Sequence, residues 1–197
     1  CVKPQDETHP SEPTRATSET VSFAMDEVLV VREFGEPIFP SLVPVDAVAP
    51  EAPKAVNDLI AGWGELAPRL AAAKEAPGIP LADVTLLSPL EAPGKMMAIG
   101  LNYADHIEEA RHLGLKIPTE QVWFCKQVNA LNGPFAGIEM PKVSDNLDYE
   151  VELVVVIGKR GRHISREDAP AHIFGYAVGN DVSVRDWQTR TPQWVLG

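Results

Sequence analysis

The chain of 197 residues carries 17 Lys and Arg against 28 Asp and Glu, a formal net charge of -11, which argues against nucleic acid or an anionic membrane surface as a partner. Its length suits one domain, or a small domain leading into a larger one, and its hydrophobic content of 45% excludes disorder throughout. No apolar run approaches the roughly 18 residues of a membrane span, and Cys1 and Cys125 lie too far apart to suggest a disulfide framework, so we expect a cytoplasmic protein.

The first 80 residues divide into a tail and a small domain. Residues 1–20 are rich in Pro, Ser, Thr and Glu, which predicts a disordered tail. Residues 21–34 alternate loosely and predict a strand, and a proline-punctuated loop follows. Over residues 52–73 apolar side chains recur every three or four positions, as in an amphipathic helix that Pro68 and the Gly-Trp-Gly at 62–64 should divide. Residues 21–80 are therefore predicted to form a small N-terminal α+β domain.

From about residue 80 the pattern changes to short strands joined by loops that carry polar motifs. Strands are predicted at 84–87, 95–100, 122–126, 153–158 and 173–184, and helices at 102–113 and 165–172. The change of pattern makes residues 81–197 a second, larger domain.

Two glutamates precede the most apolar of these strands. Residues 153–158 (LVVVIG) are typical of a strand buried on both faces, and Glu150 and Glu152 lie two residues apart at its start. Because side chains alternate along a strand, both carboxylates should point to one face, where like charges repel and lose hydration. A cation bound between them would resolve both problems.

A third carboxylate, Asp181, lies among alanine and valine residues, where an unpaired charge would be costly. Together with Glu150 and Glu152 it would offer oxygen ligands only, which suit Mg²⁺ or Mn²⁺ better than Zn²⁺. The spacing alone favours a simpler interpretation. In it, the two glutamates form the solvated face of an edge strand, and Asp181 pairs with Arg185 or a lysine.

His106 and Glu109 are three residues apart in the predicted helix at 102–113 and can therefore touch. A glutamate that holds an imidazole makes histidine a suitable general base near neutral pH. The alternative is an exposed pair on a charged helix.

Four motifs of the second domain, taken together, closely resemble the fumarylacetoacetate hydrolase family. They are GLNYADH at 100–106, NGP at 132–134, DYEVEL at 148–153, and GY at 175–176 with NDVSVRDWQ at 180–188. Each is weakly specific alone, but the four occur in the family's order over residues 95–197. The resemblance favours the functional interpretation of the carboxylates and of His106.

The resemblance implies a role for each candidate residue. The ligands of Mg²⁺ or Mn²⁺, the expected cofactor, would be Glu150, Glu152 and Asp181. The catalytic base would be His106, assisted by Glu109. Residues expected to contact the substrate are Lys126, Asn129 and Arg185.

It also implies a fold and an assembly. The expected fold is α+β and predominantly β, a β-roll or barrel preceded by the small N-terminal domain, in a homodimer. The family continues beyond the Trp194-x-x-Gly197 position with a substrate-binding lysine and further strands. We therefore expect residues 81–197 to be the N-terminal part of the catalytic domain, with its C-terminal part missing.

The activity implied is metal-dependent hydrolysis of a C–C bond in an acylpyruvate or a related 2-oxo or β-diketo acid. In it, His106 and Glu109 would activate water, and the metal would stabilise an enolate. One alternative is a 2-hydroxy-dienedioate isomerase or decarboxylase of aromatic compound catabolism, in which only the fate of the proton or CO2 differs. The other is a non-catalytic or incomplete family member.

Overall fold

The computed structural model describes residues 41–70, 76–80, 83–90, 93–112, 114 and 117–197. The predicted tail at 1–20 and the predicted strand at 21–34 lie outside these residues. The elements that follow are those of the described part of the chain.

The N-terminal part consists of three short helices and one strand pair. The helices are α1 (Val45–Val48), α2 (Val56–Ala61) and α3 (Trp63–Leu70). Strand β1 (Ser41–Leu42) pairs antiparallel with β2 (Ile79–Pro80). A cluster of buried side chains fills the space between the helices, namely Val45, Ala49, Leu59, Leu66 and Leu70. Burying each of these leucines contributes about 1.5–3 kcal/mol.

The division of the predicted 52–73 helix is confirmed at Gly62, which ends α2. The prediction that Pro68 also breaks the helix is wrong, because Pro68 lies inside α3. A proline removes one backbone hydrogen bond. In α3 that loss is offset by the burial of Leu66 and Leu70, four residues apart on one face.

The second part is built from antiparallel strand pairs. Strand β3 (Met97–Gly100) pairs with β4 (Val122–Cys125), β5 (Leu147–Asp148) with β8 (Ser183–Val184), and β6 (Val151–Ile157) with β7 (Ile173–Asn180). Helix α4 (Ala104–His112) lies between β3 and β4, and α5 (Arg185–Gln188) follows β8. 3₁₀ turns occupy Val128–Ala130 and Ala169–His172. No helix in the described ranges is long and apolar enough to cross a membrane.

Aromatic contacts join the separate elements. Trp63 of α3 meets Phe174 of β7 edge to face, with ring centroids 5.2 Å apart. Phe124 of β4 makes a similar contact with Trp194, at 5.4 Å. The first contact packs α3 on the antiparallel β6–β7 strand pair, and the second holds the C-terminal residues near Trp194 against the β3–β4 strand pair.

Most predicted elements of the second part are confirmed, and three differ. The strand expected at 173–184 is divided into β7 and β8, which pair with different strands. Residues 84–87 were expected to form a strand, but they make no strand pair among the described residues. The helix expected at 165–172 is a 3₁₀ turn, preceded by Ser165, whose hydroxyl accepts a hydrogen bond from the Asp168 N–H at 3.1 Å. A short apolar run becomes a strand only where a partner supplies backbone hydrogen bonds.

The expectation that β6 is buried on both faces is wrong for the described chain. Val151, Leu153, Val155 and Ile157 are exposed, while the alternate residues are half-buried. β6 pairs with β7 alone, and the four strand pairs are not joined by hydrogen bonds into one sheet within the described residues. The described residues therefore have a mixed α and β content, as expected for the α+β class.

A glycine substitution tests the packing of the loop at 129–134. A β-carbon at Gly133 would lie 2.7 Å from the Leu86 carbonyl oxygen, whereas a β-carbon at Gly137 would meet nothing within 4 Å. We expect Gly133→Ala to lower the free energy of unfolding by about 1–3 kcal/mol because the backbone must move. Gly137→Ala should be neutral or slightly stabilising. Urea unfolding of both variants measures the difference, and equal stabilities would contradict this packing.

Candidate metal centre

Strand pairing brings the three predicted metal ligands to one end of the β6–β7 ribbon. Glu150 directly precedes β6, Glu152 is its second residue, and Asp181 directly follows β7. The Asp181 N–H donates to the Glu150 carbonyl oxygen at 2.8 Å, and Glu152 lies opposite Gly179. Register therefore places residues some 30 positions apart in sequence beside one another.

Glu150 is held by a cation and a buried hydroxyl. Its Oε1 lies 2.6 Å from Nη1 of Arg185 and accepts a hydrogen bond from the Ser183 hydroxyl at 3.2 Å. The Glu150 side chain is 22% exposed, and Ser183 is 1% exposed. Ser183, the first residue of β8, was not singled out from the sequence, although it lies only two residues after Asp181.

Asp181 is paired with Lys126, as the simpler interpretation of the sequence allowed. Nζ of Lys126 lies 2.8 Å from Asp181 Oδ1, and the two side chains are 20% and 14% exposed. The contact is an ion pair without the angle of a directed hydrogen bond, so the buried Oδ1 has no hydrogen-bond donor among the described residues. Lys126 donates instead to the Val182 carbonyl oxygen at 3.1 Å.

Glu152 is bound by Tyr103, which lies in the motif at 100–106 but was not among the predicted site residues. The Tyr103 hydroxyl donates to Glu152 Oε2 at 3.0 Å and accepts from the Leu153 N–H at 3.1 Å. Tyr103 directly precedes α4, so this contact attaches the start of that helix to the ribbon. Its place three residues before His106 was the available signal.

Arg185 connects two of the acidic side chains. Its Nε donates to Asp148 Oδ2 at 2.9 Å, in addition to the Glu150 contact. The hydrogen bond from Arg185 lowers the pKa of Asp148. Burial of Arg185 opposes its charge, but the contacts with Asp148 and Glu150 outweigh this effect and raise its pKa. Both groups therefore stay ionised at neutral pH.

The charges of this group do not balance. Four carboxylates (Asp148, Glu150, Glu152 and Asp181) meet two cations (Lys126 and Arg185). Two negative charges remain uncompensated, and one divalent cation would neutralise them. Oxygen donors suit Mg²⁺ or Mn²⁺. As the side chains stand, no three Asp, Glu, His or Cys residues of the described ranges converge as metal ligands do. Carboxylate oxygens suit such an ion. To coordinate it, the three carboxylates would have to release their present partners Lys126, Arg185 and Tyr103.

The predicted catalytic pair lies on α4. His106 Nδ1 is 3.4 Å from Glu109 Oε2, and the side chains are 47% and 74% exposed. Tyr103 lies about one helical turn before His106. Its hydrogen bond to Glu152 therefore fixes the start of α4 relative to β6. Asn129, in the 3₁₀ turn after β4, is exposed and makes no hydrogen bond to the carboxylates in the described part of the chain.

The second part of the chain matches the family description "Fumarylacetoacetate (FAA) hydrolase C-terminal" over residues 95–197. That match spans every candidate residue and more than half of the sequence. The chain belongs to the fumarylacetoacetate hydrolase family, whose members are enzymes.

Named relatives show the range of reactions in this family. Human "Oxaloacetate tautomerase FAHD2A, mitochondrial" is 39% identical over 160 residues, which are 79% of this chain and 50% of the relative. A maleylpyruvate hydrolase from Sphingobium sp. SYK-6, solved with manganese(II) and pyruvate, has a TM-score of 0.65 and 28% identity, over 86% of this chain and 58% of its own. A 5-carboxymethyl-2-hydroxymuconate delta-isomerase from Mycobacterium smegmatis has a TM-score of 0.51 and 40% identity, over 61% and 46%. The chain spans about half the length of the human relative.

The Tyr103 contact can be tested by removing one oxygen. Tyr103→Phe should lower the free energy of unfolding by about 1 kcal/mol, because a donor to Glu152 and an acceptor for Leu153 N–H are lost at a partly exposed site. Tyr149→Phe is the matched control, since Tyr149 is 73% exposed and its hydroxyl has no hydrogen bond within the described ranges. Urea unfolding that gives both variants the same stability would contradict the role of Tyr103.

Proposed function

We propose that the protein binds Mg²⁺ or Mn²⁺ through Glu150, Glu152 and Asp181 and catalyses the keto–enol interconversion of a small 2-oxo dicarboxylic acid such as oxaloacetate. The observation that carries the proposal is the acidic group with two uncompensated negative charges, attached through Tyr103 to the helix that holds His106. The substrate class is supported by the human relative's name, at 39% identity.

His106 is the proposed base. Glu109 lies on its Nδ1 side, which leaves Nε2 to accept a proton from the carbon next to the 2-oxo group. The Glu109 carboxylate then stabilises the imidazolium. Return of that proton to the 2-oxo oxygen gives the enol, and the reverse sequence gives the keto acid, so no atom is gained or lost.

A divalent cation held by the three carboxylates would draw electron density from the carboxylate and 2-oxo oxygens of the substrate and stabilise the enolate charge. Lys126, Arg185 and Asn129 are the proposed substrate contacts. The two cations would attract the carboxylates of a dicarboxylic acid, and the exposed Asn129 amide would donate a hydrogen bond. Tyr103 keeps α4 beside Glu152 while the proton moves.

Hydrolysis of a C–C bond in an acylpyruvate is the second candidate, supported by the maleylpyruvate hydrolase neighbour. There, His106 would take a proton from water, and the hydroxide would add to the distal carbonyl carbon. The bond from that carbon to carbon 3 of the pyruvate unit would break, leaving a carboxylic acid and a pyruvate enolate that takes up a proton. The related alternative is an isomerase that moves a proton within its substrate. The Mycobacterium smegmatis neighbour carries the name of a delta-isomerase.

The assembly and the compartment stay predictions. We propose a homodimer, as the family resemblance implies. A cytoplasmic location was expected from cysteine usage, whereas the human relative is named mitochondrial.

Metal binding tests the proposed ligands directly. Mn²⁺ titration followed by electron paramagnetic resonance should give one bound ion per chain, and Glu150→Gln or Asp181→Asn should weaken binding at least about tenfold, because each removes a ligand charge. Glu167→Gln, at an exposed position in the turn beyond the other end of β6, should bind as the unsubstituted protein does. Equal affinity in all four proteins would refute the ligand assignment.

Turnover tests the reaction. We expect ultraviolet absorbance to record faster oxaloacetate enol–keto conversion with Mn²⁺, and His106→Gln to lower kcat by about 10²-fold or more. His112→Gln, on the same helix, is the control and should retain the rate. Acylpyruvate hydrolysis measured in parallel distinguishes the second candidate, and no turnover of either substrate despite Mn²⁺ binding favours a non-catalytic protein.

A further inference from the structure

The ammonium of Lys126 lies among oxygen atoms of the kind that could also bind a metal cation. Its ammonium meets three oxygens, which are Oδ1 of Asp181 at 2.8 Å, the Val182 carbonyl at 3.1 Å and the Gly197 carbonyl at 3.5 Å. The two carbonyls accept hydrogen bonds from the ammonium, and the Asp181 contact is an ion pair. One carboxylate and two carbonyls are also the oxygen donors that a hard metal ion takes.

The low exposure of Lys126 and Asp181 strengthens the interaction between their charges. With side chains 20% and 14% exposed, Lys126 and Asp181 are screened by water less than a surface pair is. Without Lys126, the Asp181 carboxylate would be a largely buried charge with no counter-ion among the described residues, because Arg185 contacts Asp148 and Glu150 instead. The metal-free chain therefore needs the lysine at this position.

We propose that Lys126 is an internal counter-ion that a divalent cation must displace from Asp181, so that metal binding is an exchange of cations. This inference rests on the metal centre proposed above. An ammonium in contact with Asp181 and a divalent cation on the same carboxylate would repel each other strongly at low exposure. Exchange leaves the released ammonium beside the centre, where it can contact an anionic substrate.

Substitution of Lys126 separates this role from that of an ordinary ion pair. Lys126→Met keeps most of the aliphatic length and removes the charge. We expect it to lower the melting temperature of the metal-free protein and to tighten Mn²⁺ binding about tenfold or more, because the competing cation is gone. Mn²⁺ should then raise the melting temperature more than it does in the unsubstituted protein.

Lys159→Met is the matched control. Lys159 is exposed and follows the opposite end of β6, roughly 20 Å along the strand from Glu152. It should leave both Mn²⁺ affinity and melting temperature unchanged. Unchanged or weaker Mn²⁺ binding by Lys126→Met would overturn the exchange while leaving the metal centre intact. Absence of Mn²⁺ binding by the unsubstituted protein would overturn the metal centre and the exchange together.

A second measurement uses the unsubstituted protein and so does not depend on the folding of a variant. Limited acetylation with acetic anhydride, followed by peptide mass spectrometry, reports how free each lysine amine is. Modification of Lys126 should become several-fold faster when Mn²⁺ is added, while that of Lys159 stays constant. An unchanged Lys126 rate in protein shown to bind Mn²⁺ would overturn the proposal.

Discussion

Antiparallel pairing of the segments around residues 146–151 and 180–185 is the constraint on which the candidate site depends. The Arg185 N–H bonds to the Asn146 carbonyl at 2.9 Å, and the Asp181 N–H bonds to the Glu150 carbonyl at 2.8 Å. These backbone bonds concentrate carboxylates at one end of a strand ribbon, where their repulsion and desolvation must be offset. Arg185 and Lys126 neutralise two of the four carboxylate charges, and one divalent cation would neutralise the other two.

Alternation along β6 gives its two faces different roles. Glu152 lies on the half-buried face, where Tyr103 attaches α4 and so sets the start of the turn that carries His106. The opposite face presents a row of exposed apolar side chains from Val151 to Ile157. Within the described residues, β6 thus presents the candidate ligand Glu152 beside the start of α4 on one face and exposed apolar side chains on the other, because successive side chains point in opposite directions.

Local pattern was sufficient wherever neighbours in sequence decide the conformation. Helix α4, strands β3, β4 and β6, and the break at Gly62 follow from periodicity and from the conformational freedom of glycine. The strand expected at 84–87 and the break expected at Pro68 failed because distant contacts decide both. A strand requires a partner, and α3 tolerates its proline since Leu66 and Leu70 are buried against the other helices. The exposure of β6 was equally beyond local pattern, since it depends on what packs against the sheet.

By itself the sequence determined the order of the candidate oxygen donors, the His106–Glu109 spacing and the family to which the chain belongs. Tertiary structure alone decided which cation meets which carboxylate. The simpler interpretation of the sequence paired Asp181 with Arg185 or a lysine. In the fold Asp181 meets Lys126, while Arg185 contacts Asp148 and Glu150. Those partners lie far apart along the chain, and an ion pair acts over a few ångströms, so only the folded arrangement of the strands could select them.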